Sequence, residues 1–397
     1  MRMLFTTIAD LGHFHPLVPI ARAAAAAGHE VAFACPTSFG ATVEAAGFRA
    51  FPCGFDPRNR TNSTLFPGMH KRPETGRTHW VVANIFAGVF GAAMVPDLLT
   101  LAQSWLPDVI VRETGEFGGY IAAEVLGMPH ASVRADATSA THTLRHSSRE
   151  ALARLRELSG LADDPDITGP FRYLHLACEP PHFVPPGEAH GPTAHVLRPV
   201  NFESGDETLP AWVANLPALP TVYATLGNLA SIMPSGRATF PAILAALGNE
   251  PINLIVTLGR GNDPAQFGSQ PENVHIERYI PQGALLPHCD LVINHGGFST
   301  VTGALNAGLP MVVIPHSADQ PYNAACCSAL GVGRVVAPND RTPEAIREAV
   351  RAVLADPTYR AKAVQVRDET AALPGPEVAV ELLERLARDK VPIIASR

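Results

Sequence analysis

The chain contains 397 residues, of which 46% are hydrophobic and 17% are charged, and its formal net charge is −7. This length allows two or three domains, each large enough to bury its own core. The negative net charge argues against a general binder of nucleic acid or of membrane surfaces, because no basic excess is available to meet phosphates.

Signals that would direct the chain out of the cytoplasm are not expected. The N-terminus starts with a strand-like run and lacks the layout of a signal peptide, and no uninterrupted apolar run reaches membrane-spanning length. The six cysteines form no C-x-x-C pair and no metal-ligand spacing, so we expect reduced, buried thiols. These features predict a cytoplasmic protein that has no metal site and does not bind membranes or nucleic acid.

Strand-like apolar runs alternate with helix-like stretches in both halves of the chain. In the first half, the predicted strands lie near residues 4–7, 31–35, 109–111 and 131–133. In the second half, they lie near residues 222–225, 254–258, 274–277, 291–294 and 311–314. This alternation predicts an α/β protein with parallel sheets that carry helices on both faces.

A Pro-rich, weakly patterned stretch over residues 180–220 separates the two halves, and we place the linker near 201–219. The predicted domains are residues 1–205 and 216–375, followed by a C-terminal helix within 376–397 that would pack back on the first domain. Residues 56–79 lack periodicity and are rich in turn formers, which predicts a functional or mobile loop.

The block of residues 295–323, HGGFSTVTGALNAGLPMVVIPHSADQPYN, is the most informative part of the chain. It follows a buried strand and opens through two glycines into a helix beginning near Ser299. Such a turn directs backbone N–H groups and the positive end of a helix dipole at one point, which suits a phosphate or diphosphate. Asp319 and Gln320 follow the next strand, where open α/β sheets hold ligands. The turn suits a diphosphate, and the carboxylate and amide beside it suit a group with several hydroxyls. Together they predict a nucleotide-sugar site.

A second element, Gly12-His13-Phe14-His15-Pro16, follows the first strand. His13 would lie in the crevice of the sheet, and a histidine suits proton abstraction near neutral pH. The alternatives are a histidine that only enters a helix, or an H-x-H metal pair, which the lack of further ligands disfavours.

Glu113, after strand 109–111, could orient the ring and stabilise the imidazolium. Glu116 is its rival, and both carboxylates could instead be solvated; we favour Glu113 because it lies nearer the strand end.

Three shorter motifs carry weaker signals. The turn Thr225-Leu226-Gly227-Asn228 could touch a phosphate through its glycine and hydroxyl. The segment Tyr279-Ile280-Pro281-Gln282 could stack on and hydrogen-bond to a pyrimidine, although Pro281 could equally build a plain turn. The motif Gly259-Arg260-Gly261-Asn262 lacks the third glycine of a dinucleotide fingerprint, so we interpret it as a turn.

Taken in order, GHFHPLVPIARAAAAAGHEV and HGGFST…GLPMVVIPHSADQPYNA…LGVG resemble the signatures of inverting nucleotide-sugar glycosyltransferases of the GT-B fold. The resemblance covers nearly the whole chain. It is greatest to the bacterial branch that decorates macrolides, enediynes and other natural products. It implies two Rossmann-like, doubly wound parallel-sheet domains that face each other across a cleft. A nucleotide sugar and a small-molecule aglycone would be the binding partners, no cofactor is implied, and a homodimer stays open.

The resemblance also assigns roles. His13 would be the general base and Glu113, where many relatives carry Asp, would pair with it. His295 and the amides of the turn after it would hold the diphosphate, while Asp319 and Gln320 would bind sugar hydroxyls. With the turn after the first strand of the second half included, the predicted donor-binding residues are Thr225, Gly227, Tyr279, Ile280, Gln282, His295, Gly297, Ser299, Thr300, Asp319 and Gln320.

One departure bears on the donor. Many UDP-sugar users of this family carry a glutamate for the ribose hydroxyls eight residues after the H-G-G histidine, and Gly303 stands there. Losing this acceptor removes a reason to prefer ribose, so we hypothesise a TDP-deoxysugar.

For the acceptor, the aromatic residues of the first domain suit an apolar aglycone. Phe86 and Phe90 have helical spacing, and aromatic residues at that spacing more often belong to a core. The candidate acceptor residues are Trp80, Phe86 and Phe90, with Phe66 and Phe117 nearby. Rival functions are a nucleotide-sugar epimerase, a catalytically silent nucleotide-sugar-binding accessory protein and, less favoured, a Rossmann oxidoreductase.

Overall fold

A computed structural model describes residues 1–58, 65–66, 68, 74–135, 142–184, 190–202, 208–227, 234–259 and 262–395. The chain forms two compact units. Unit 1 consists of Met1–Glu179, Glu188–Ser204 and Leu373–Arg397, and unit 2 consists of Pro180–Gly187 and Gly205–Ala372.

Unit 1 is built on a seven-stranded parallel sheet with the order β3-β2-β1-β4-β5-β6-β7. The strands are β1 Arg2–Thr6, β2 Glu30–Cys35, β3 Arg49–Pro52, β4 Val109–Glu113, β5 His130–Val133, β6 Leu174–Cys178 and β7 Ala194–Leu197. The α-helices are Leu11–Phe14, Val18–Ala26, Gly40–Ala45, Glu74–Trp80, Ala92–Trp105, Gly118–Leu126, His142–Leu158 and Pro376–Asp389, with a π-helix at Val81–Gly91. The chain adds strands outward on one side of β1 and then on the other, so the strand order reverses between β1 and β4. Such sheets bind ligands at this point.

Unit 2 has a six-stranded parallel sheet with the order β10-β9-β8-β11-β12-β13. Its strands are β8 Thr221–Thr225, β9 Asn253–Thr257, β10 Val274–Glu277, β11 Leu291–Asn294, β12 Met311–Val313 and β13 Gly333–Val335. The α-helices are Pro234–Leu247, Gln282–Leu285, Phe298–Asn306, Gln320–Ala329, Pro343–Ala355 and Pro357–Ala371. Here the reversal falls between β8 and β11.

Both sheets are buried on both faces, because their central strands carry apolar residues that point to either side. In β11, Val292 packs into one core of unit 2, whereas Leu291 and Ile293 pack into the other. In β1, Phe5 and Leu4 divide in the same way between two cores of unit 1. Successive side chains of a strand point to opposite faces, so helices cover both sides of each parallel sheet, as predicted from the βα alternation.

The C-terminal helix Pro376–Asp389 belongs to unit 1. Its apolar stripe (Ala379, Val380, Leu383 and Leu386) is buried in the same core as the helix Val18–Ala26. At the edge of this contact, His29 Nε2 lies 2.9 Å from Glu384 Oε1. The stripe has the i, i+4, i+7 spacing of an amphipathic helix, which explains why the helix packs there.

The strands predicted from the sequence agree with the observed strands to within two residues at each end, but four strands were missed. Strands β3, β7 and β13 are short and lie at sheet edges, and β6 has His175 interrupting its apolar run. The predicted bounds 109–111 were too short, because β4 continues through Glu113. That carboxylate is therefore the last residue of a central strand rather than part of a loop.

One helical run of unit 1 is a candidate membrane span, although Asn84 and Asp97 interrupt its apolar residues. The run Arg77–Trp105 is long and apolar enough to cross a membrane by length and composition alone, and 44% of its most apolar stretch is buried. Within this run, Ile85 and Leu98 are buried in cores of unit 1, and a core helix passes the same test. The run also overlaps the predicted loop 56–79, of which residues 59–64, 67 and 69–73 lie outside the described residues.

Candidate active site

His13 and Glu113 lie together at the carboxyl end of the unit 1 sheet. After β1, Asp10 caps the short helix Leu11–Phe14 by accepting from the Gly12 amide at 2.7 Å. This turn brings His13 Nδ1 to 2.9 Å from Glu113 Oε2, and the two side chains are 14% and 0% exposed. Since β1 and β4 are neighbours in the sheet, residues 100 positions apart meet at the predicted point.

The loop after β4 holds the Glu113 carboxylate in place. The Gly115 amide donates to Glu113 Oε2. Arg112, fully buried, donates from Nη1 to the carbonyls of Glu113 and Thr114 at 3.1 Å and of Glu116 at 3.2 Å. Burial lowers the pKa of this guanidinium, although nearby carboxylates oppose the shift. Sequence reasoning missed Arg112, whose signal was a charge inside an apolar strand.

Gly115 also leaves room for the imidazole. A Cβ at this position would lie 3.0 Å from His13 Cε1 and 3.2 Å from Glu113 Oε2. These distances are tighter than ordinary van der Waals contact, so a side chain would press on both members of the pair. Sequence reasoning gave Gly115 no role, because the close approach arises only from the tertiary structure.

Glu116, the rival carboxylate, has a different environment. It accepts hydrogen bonds from the hydroxyl of Thr6 and from the amides of Gly118 and Gly119. Burial raises its pKa, while the hydrogen bonds from Thr6 and Gly119 oppose the shift. These contacts place Glu116 at the N-terminus of the helix Gly118–Leu126, where a carboxylate satisfies exposed amides. Glu113, by contrast, is the carboxylate that lies against His13.

His15, the second histidine of the H-x-H motif, packs edge-on against Phe202 with ring centroids 5.2 Å apart. Burial lowers the pKa of His15, and the nearby Asp10 opposes the shift. Within the described residues, no three His, Cys, Asp or Glu side chains are grouped as metal ligands.

A row of aromatic rings begins at His13. Phe86 meets the imidazole edge-on at 5.4 Å, and Phe90 stacks on Phe86 at 6.0 Å. Phe55 stacks on Phe90 at 5.6 Å, and Phe66 lies 6.4 Å from Phe90. Phe86 is buried, but the other three rings are half-buried. The row therefore offers partly exposed aromatic surface beside the imidazole, and Phe55 is a member that sequence reasoning missed.

The remaining acceptor candidates belong to the same apolar cluster. Trp80 is half-buried and packs against it, whereas Phe117 is fully buried within it. The core interpretation given for Phe86 and Phe90 therefore holds for Phe86, and Phe117 is a core residue as well. Trp80, Phe66 and Phe90 keep exposed surface that a ligand can reach.

In unit 2, His295 follows β11 and lies between two glycines. A Cβ at Gly227 would lie 2.7 Å from His295 Cε1, and one at Gly297 would meet Nε2. Gly227 also has φ +62°, a conformation that other residues adopt with strain. His295 is 8% exposed, and burial lowers its pKa to about 4. The ring is therefore a neutral imidazole near neutral pH, and one of its nitrogens carries a hydrogen.

The helix Phe298–Asn306 begins directly after this turn, with Gly297 as its N-cap. The amides of Thr300 and Val301 both donate to the Gly297 carbonyl at 3.0 Å. The Thr300 amide therefore already has an acceptor within this turn, and its contact with a diphosphate stays a prediction. Gly297 and Ser299 remain at the helix N-terminus, where amides and the helix dipole favour an anion. Gly303 is buried in the same helix.

Asp319 and Gln320 begin the helix Gln320–Ala329. The Gln320 side-chain carbonyl Oε1 accepts from the amides of His316 at 2.8 Å and Ser317 at 2.9 Å. Because its oxygen is used within the protein, Gln320 can offer a ligand only its NH₂ group. Asp319 is half-buried, and its Oδ2 accepts from Asn323 Nδ2 at 2.7 Å.

The weaker donor candidates divide into two groups. Thr225 ends β8 and its hydroxyl accepts from the Gly227 amide at 3.3 Å. Because Gly227 lies against the His295 ring, this turn is beside His295. Tyr279 is 38% exposed and lines a surface depression with Asp263 and Arg278. Gln282 is half-buried at the start of a short helix.

Ile280 is a core residue of unit 2, so only its backbone can face a base. His316, to which the sequence assigned no role, is buried near His295. Burial, with Arg341 and His295 nearby, lowers the pKa of His316 to about 3.

The two Rossmann-like sheets, the His13–Glu113 pair and the glycine-rich turn before the helix Phe298–Asn306 match an α/β glycosyltransferase of the GT-B class. Residues 22–159 and 241–386 match the N-terminal and C-terminal domains of the family described as erythromycin biosynthesis protein CIII-like. The chain is 30% identical to 10-deoxymethynolide desosaminyltransferase of Streptomyces venezuelae, over 98% of the chain and 97% of that protein. It is 31% identical to 4'-demethylrebeccamycin synthase of Lentzea aerocolonigenes, over 97% and 99%.

Solved structures give the same result. SnogD from Streptomyces nogalater matches with a TM-score of 0.78 and 30% identity, over 98% of this chain and 99% of that one. VinC in complex with dTDP matches with a TM-score of 0.80 and 27% identity, over 98% and 100%. The chain belongs to the erythromycin CIII-like family of bacterial natural-product glycosyltransferases with the GT-B fold, which confirms the resemblance seen in the sequence motifs.

Proposed function

We propose that this glycosyltransferase moves a deoxysugar from a TDP-sugar to a hydroxyl of a largely apolar natural-product aglycone, with inversion at the anomeric carbon. The observation that carries the proposal is the 2.9 Å separation of His13 Nδ1 from the buried Glu113 carboxylate. A buried carboxylate beside an imidazole stabilises the protonated ring, as a general base requires after it has taken a proton.

The reaction is a single displacement. His13 takes the proton of the acceptor hydroxyl, and the acceptor oxygen forms a bond to the anomeric carbon as the bond to the diphosphate oxygen breaks. The electron pair of that bond leaves with the nucleoside diphosphate. Glu113 stabilises the imidazolium, while the neutral His295 N–H and the N-terminus of the helix Phe298–Asn306 stabilise the charge on the diphosphate. Attack from the face opposite the leaving group inverts the anomeric carbon.

The diphosphate charge is met by groups of the chain itself, so we propose that the reaction needs no metal ion or cofactor. A helix N-terminus and a buried donor act strongly on an anion where water is excluded. Activity should be unchanged after EDTA treatment, with activity before chelation as the reference. Loss of activity with EDTA, restored by a divalent cation, would contradict this part of the proposal.

Two observations support a TDP donor. Gly303, buried in its helix, supplies no carboxylate for ribose hydroxyls, and the relative VinC has been solved with dTDP bound. Calorimetric titration of the protein with TDP and with UDP tests this choice. UDP binding about tenfold tighter than TDP binding, or about 1.4 kcal/mol, would refute it.

The aromatic row supports an apolar acceptor. Phe90 stacks on Phe86, which contacts the His13 ring, and Phe55 and Phe66 lie against Phe90. Aromatic walls with few polar groups suit flat or macrocyclic ligands. Asp319 and Gln320, in unit 2, would hold the sugar hydroxyls.

The decisive test is turnover of TDP-deoxysugars with a panel of macrolide and polycyclic aromatic aglycones. The proposal predicts that a glycoside and TDP form in equal amounts, and that the proton coupling at the anomeric carbon shows inversion. A new nucleotide sugar formed from the donor alone would identify an epimerase instead. No product with any pair of substrates, with TDP still bound, would favour an accessory binding protein.

A further inference from the structure

Asn323 connects the two segments of unit 2 that the proposed function assigns to the donor. It lies one turn into the helix Gln320–Ala329 and is fully buried. Its Nδ2 donates both of its hydrogens, one to the Gly296 carbonyl at 2.8 Å and one to Asp319 Oδ2 at 2.7 Å. The first contact holds the turn that would bind the diphosphate, and the second holds the carboxylate that would bind the sugar.

The Gly296 side of this bridge is tightly constrained. Gly296 has φ +85°, and its amide donates to Asn294 Oδ1 at 2.7 Å. A Cβ at this position would lie 2.9 Å from the Gln320 carbonyl, so the turn and the start of the helix are in direct contact. An amide side chain fits between them because its NH₂ group offers two donors and both acceptors lie within reach.

We propose that Asn323 is a positioning residue that keeps the Asp319 carboxylate in register with the His295–Gly297 turn, so that one donor molecule engages both at once. This inference rests on the proposed function, because it assigns the turn to the diphosphate and Asp319 to the sugar. Asn323 is buried and acts through the groups it holds. A small displacement of Asp319 is enough to lower turnover, since reaction rates depend steeply on the alignment of the reacting atoms.

The test is a double-mutant cycle that combines Asn323→Ala with Asp319→Ala, read out by kcat and KM for transfer and by calorimetric Kd for TDP. TDP lacks the sugar, so it reports on the nucleotide and diphosphate contacts alone. Asn323→Ala should lower kcat/KM by about tenfold to a hundredfold and change the Kd for TDP by less than about threefold. In the Asp319→Ala background, Asn323→Ala should lower kcat/KM by less than about threefold, because its main effect passes through Asp319.

Asn253 supplies a matched control within the same unit. It is also a fully buried asparagine, and its Nδ2 donates to the carbonyls of Pro217 at 3.0 Å and Leu219 at 3.1 Å. It begins β9 and so lies at the opposite end of the sheet from the donor residues. Asn253→Ala should lower the melting temperature. Its effect on kcat/KM should be the same in the wild-type and Asp319→Ala backgrounds. If Asn323→Ala does not fold, Asn323→Ser, which keeps one donor, takes its place in the same cycle.

Two results would overturn the inference while leaving the proposed function standing. In the first, the wild-type enzyme is active, and the effects of Asn323→Ala and Asp319→Ala on kcat/KM multiply fully in the double variant. The second is an Asn323 variant that weakens TDP binding as much as it lowers transfer, which would limit its role to the diphosphate turn. A wild-type enzyme that binds TDP but transfers no sugar would overturn the proposed function itself.

Discussion

The two units each place a histidine at the carboxyl end of a central strand, but they treat the ring differently. His13 of unit 1 is partly exposed and has the Glu113 carboxylate 2.9 Å from Nδ1. His295 of unit 2 is buried between Gly227 and Gly297, and burial lowers its pKa to about 4. A neighbouring carboxylate favours the charged ring, whereas burial favours the neutral ring.

Under the proposed function, this contrast would let one residue type serve two tasks in one reaction. The group that takes the acceptor proton must become an imidazolium, and the carboxylate beside His13 stabilises that form. The group that meets the diphosphate must offer an N–H without first taking up a proton from solvent, and the burial of His295 ensures this. In this proposal, the surroundings of each ring, rather than its position after a strand, would determine its role.

The largest expected effect comes from removing the base. His13→Ala should lower kcat by about 10²–10⁴-fold, the usual contribution of a general base. The Kd for TDP should stay unchanged, because His13 belongs to unit 1 and the diphosphate residues belong to unit 2. Steady-state kinetics and calorimetry measure the two quantities. His15→Ala, in the same turn, is the matched control. Near-normal turnover of His13→Ala would remove the assignment.

The carboxylate partner should have the next largest effect. Glu113→Gln keeps the size of the side chain but removes the charge that stabilises the imidazolium, so kcat should fall by about a hundredfold. Glu116→Gln is the control, because Glu116 is equally buried but bonds to Thr6 and to helix amides. It should lower stability and change kcat far less. If Glu116→Gln lowers kcat more than Glu113→Gln does, the two carboxylates have been assigned the wrong way round.

The sequence predicted the fold and the His13–Glu113 pair for one physical reason. Continuous apolar runs identified β1 and β4, and residues that end neighbouring parallel strands must meet at the same edge of the sheet. The pair could therefore be predicted from a local sequence pattern combined with a rule of sheet topology. The same reasoning placed His295 and Asp319 at the carboxyl edge of the second sheet.

The residues that hold these groups in place were not predictable in this way. Arg112 reaches loop carbonyls, Gly115 makes room for His13, and Asn323 bridges Gly296 to Asp319. Each contact depends on the exact distance between backbone segments, which periodicity does not encode. Phe55 was missed for the same reason, since it joins the aromatic row only through stacking on Phe90.

Burial of neutral histidines should make unit 2 sensitive to acid. Burial lowers the pKa of His316 to about 3, below the ordinary value of 6.5 for histidine. The unfolded chain therefore binds more protons between these values, so stability is fully present above pH 6.5 and falls as the pH is lowered. The slope is about 1.4 kcal/mol per pH unit for one such histidine.

Denaturant unfolding at pH 6.5 and pH 5.0 measures this loss. His316→Leu should lose about 2 kcal/mol less than the wild-type protein over this interval, since it has one buried histidine fewer to protonate. His29→Leu is the control, because His29 is only half-buried and lies beside the Glu384 carboxylate, whereas His316 is buried. Equal losses in the wild-type protein and His316→Leu would mean that His316 is not held neutral in the folded state.

The smallest effect sharpens the comparison at His295 itself. In the free protein its pKa is about 4, and a diphosphate beside the ring favours the protonated form, so its pKa rises on binding. At neutral pH the ring stays neutral in the complex, but as the pH falls from 7.5 to 5.5 binding takes up a growing fraction of a proton, so TDP affinity should increase by about threefold to tenfold. The diphosphate also titrates in this range, so the measured quantity is the difference between the wild-type protein and His295→Gln. Calorimetry in buffers of different ionisation enthalpy counts the protons directly. If the pH dependence of TDP affinity is the same in both proteins, His295 does not contact the diphosphate. His295 and His13 would then differ only in their surroundings and not in function.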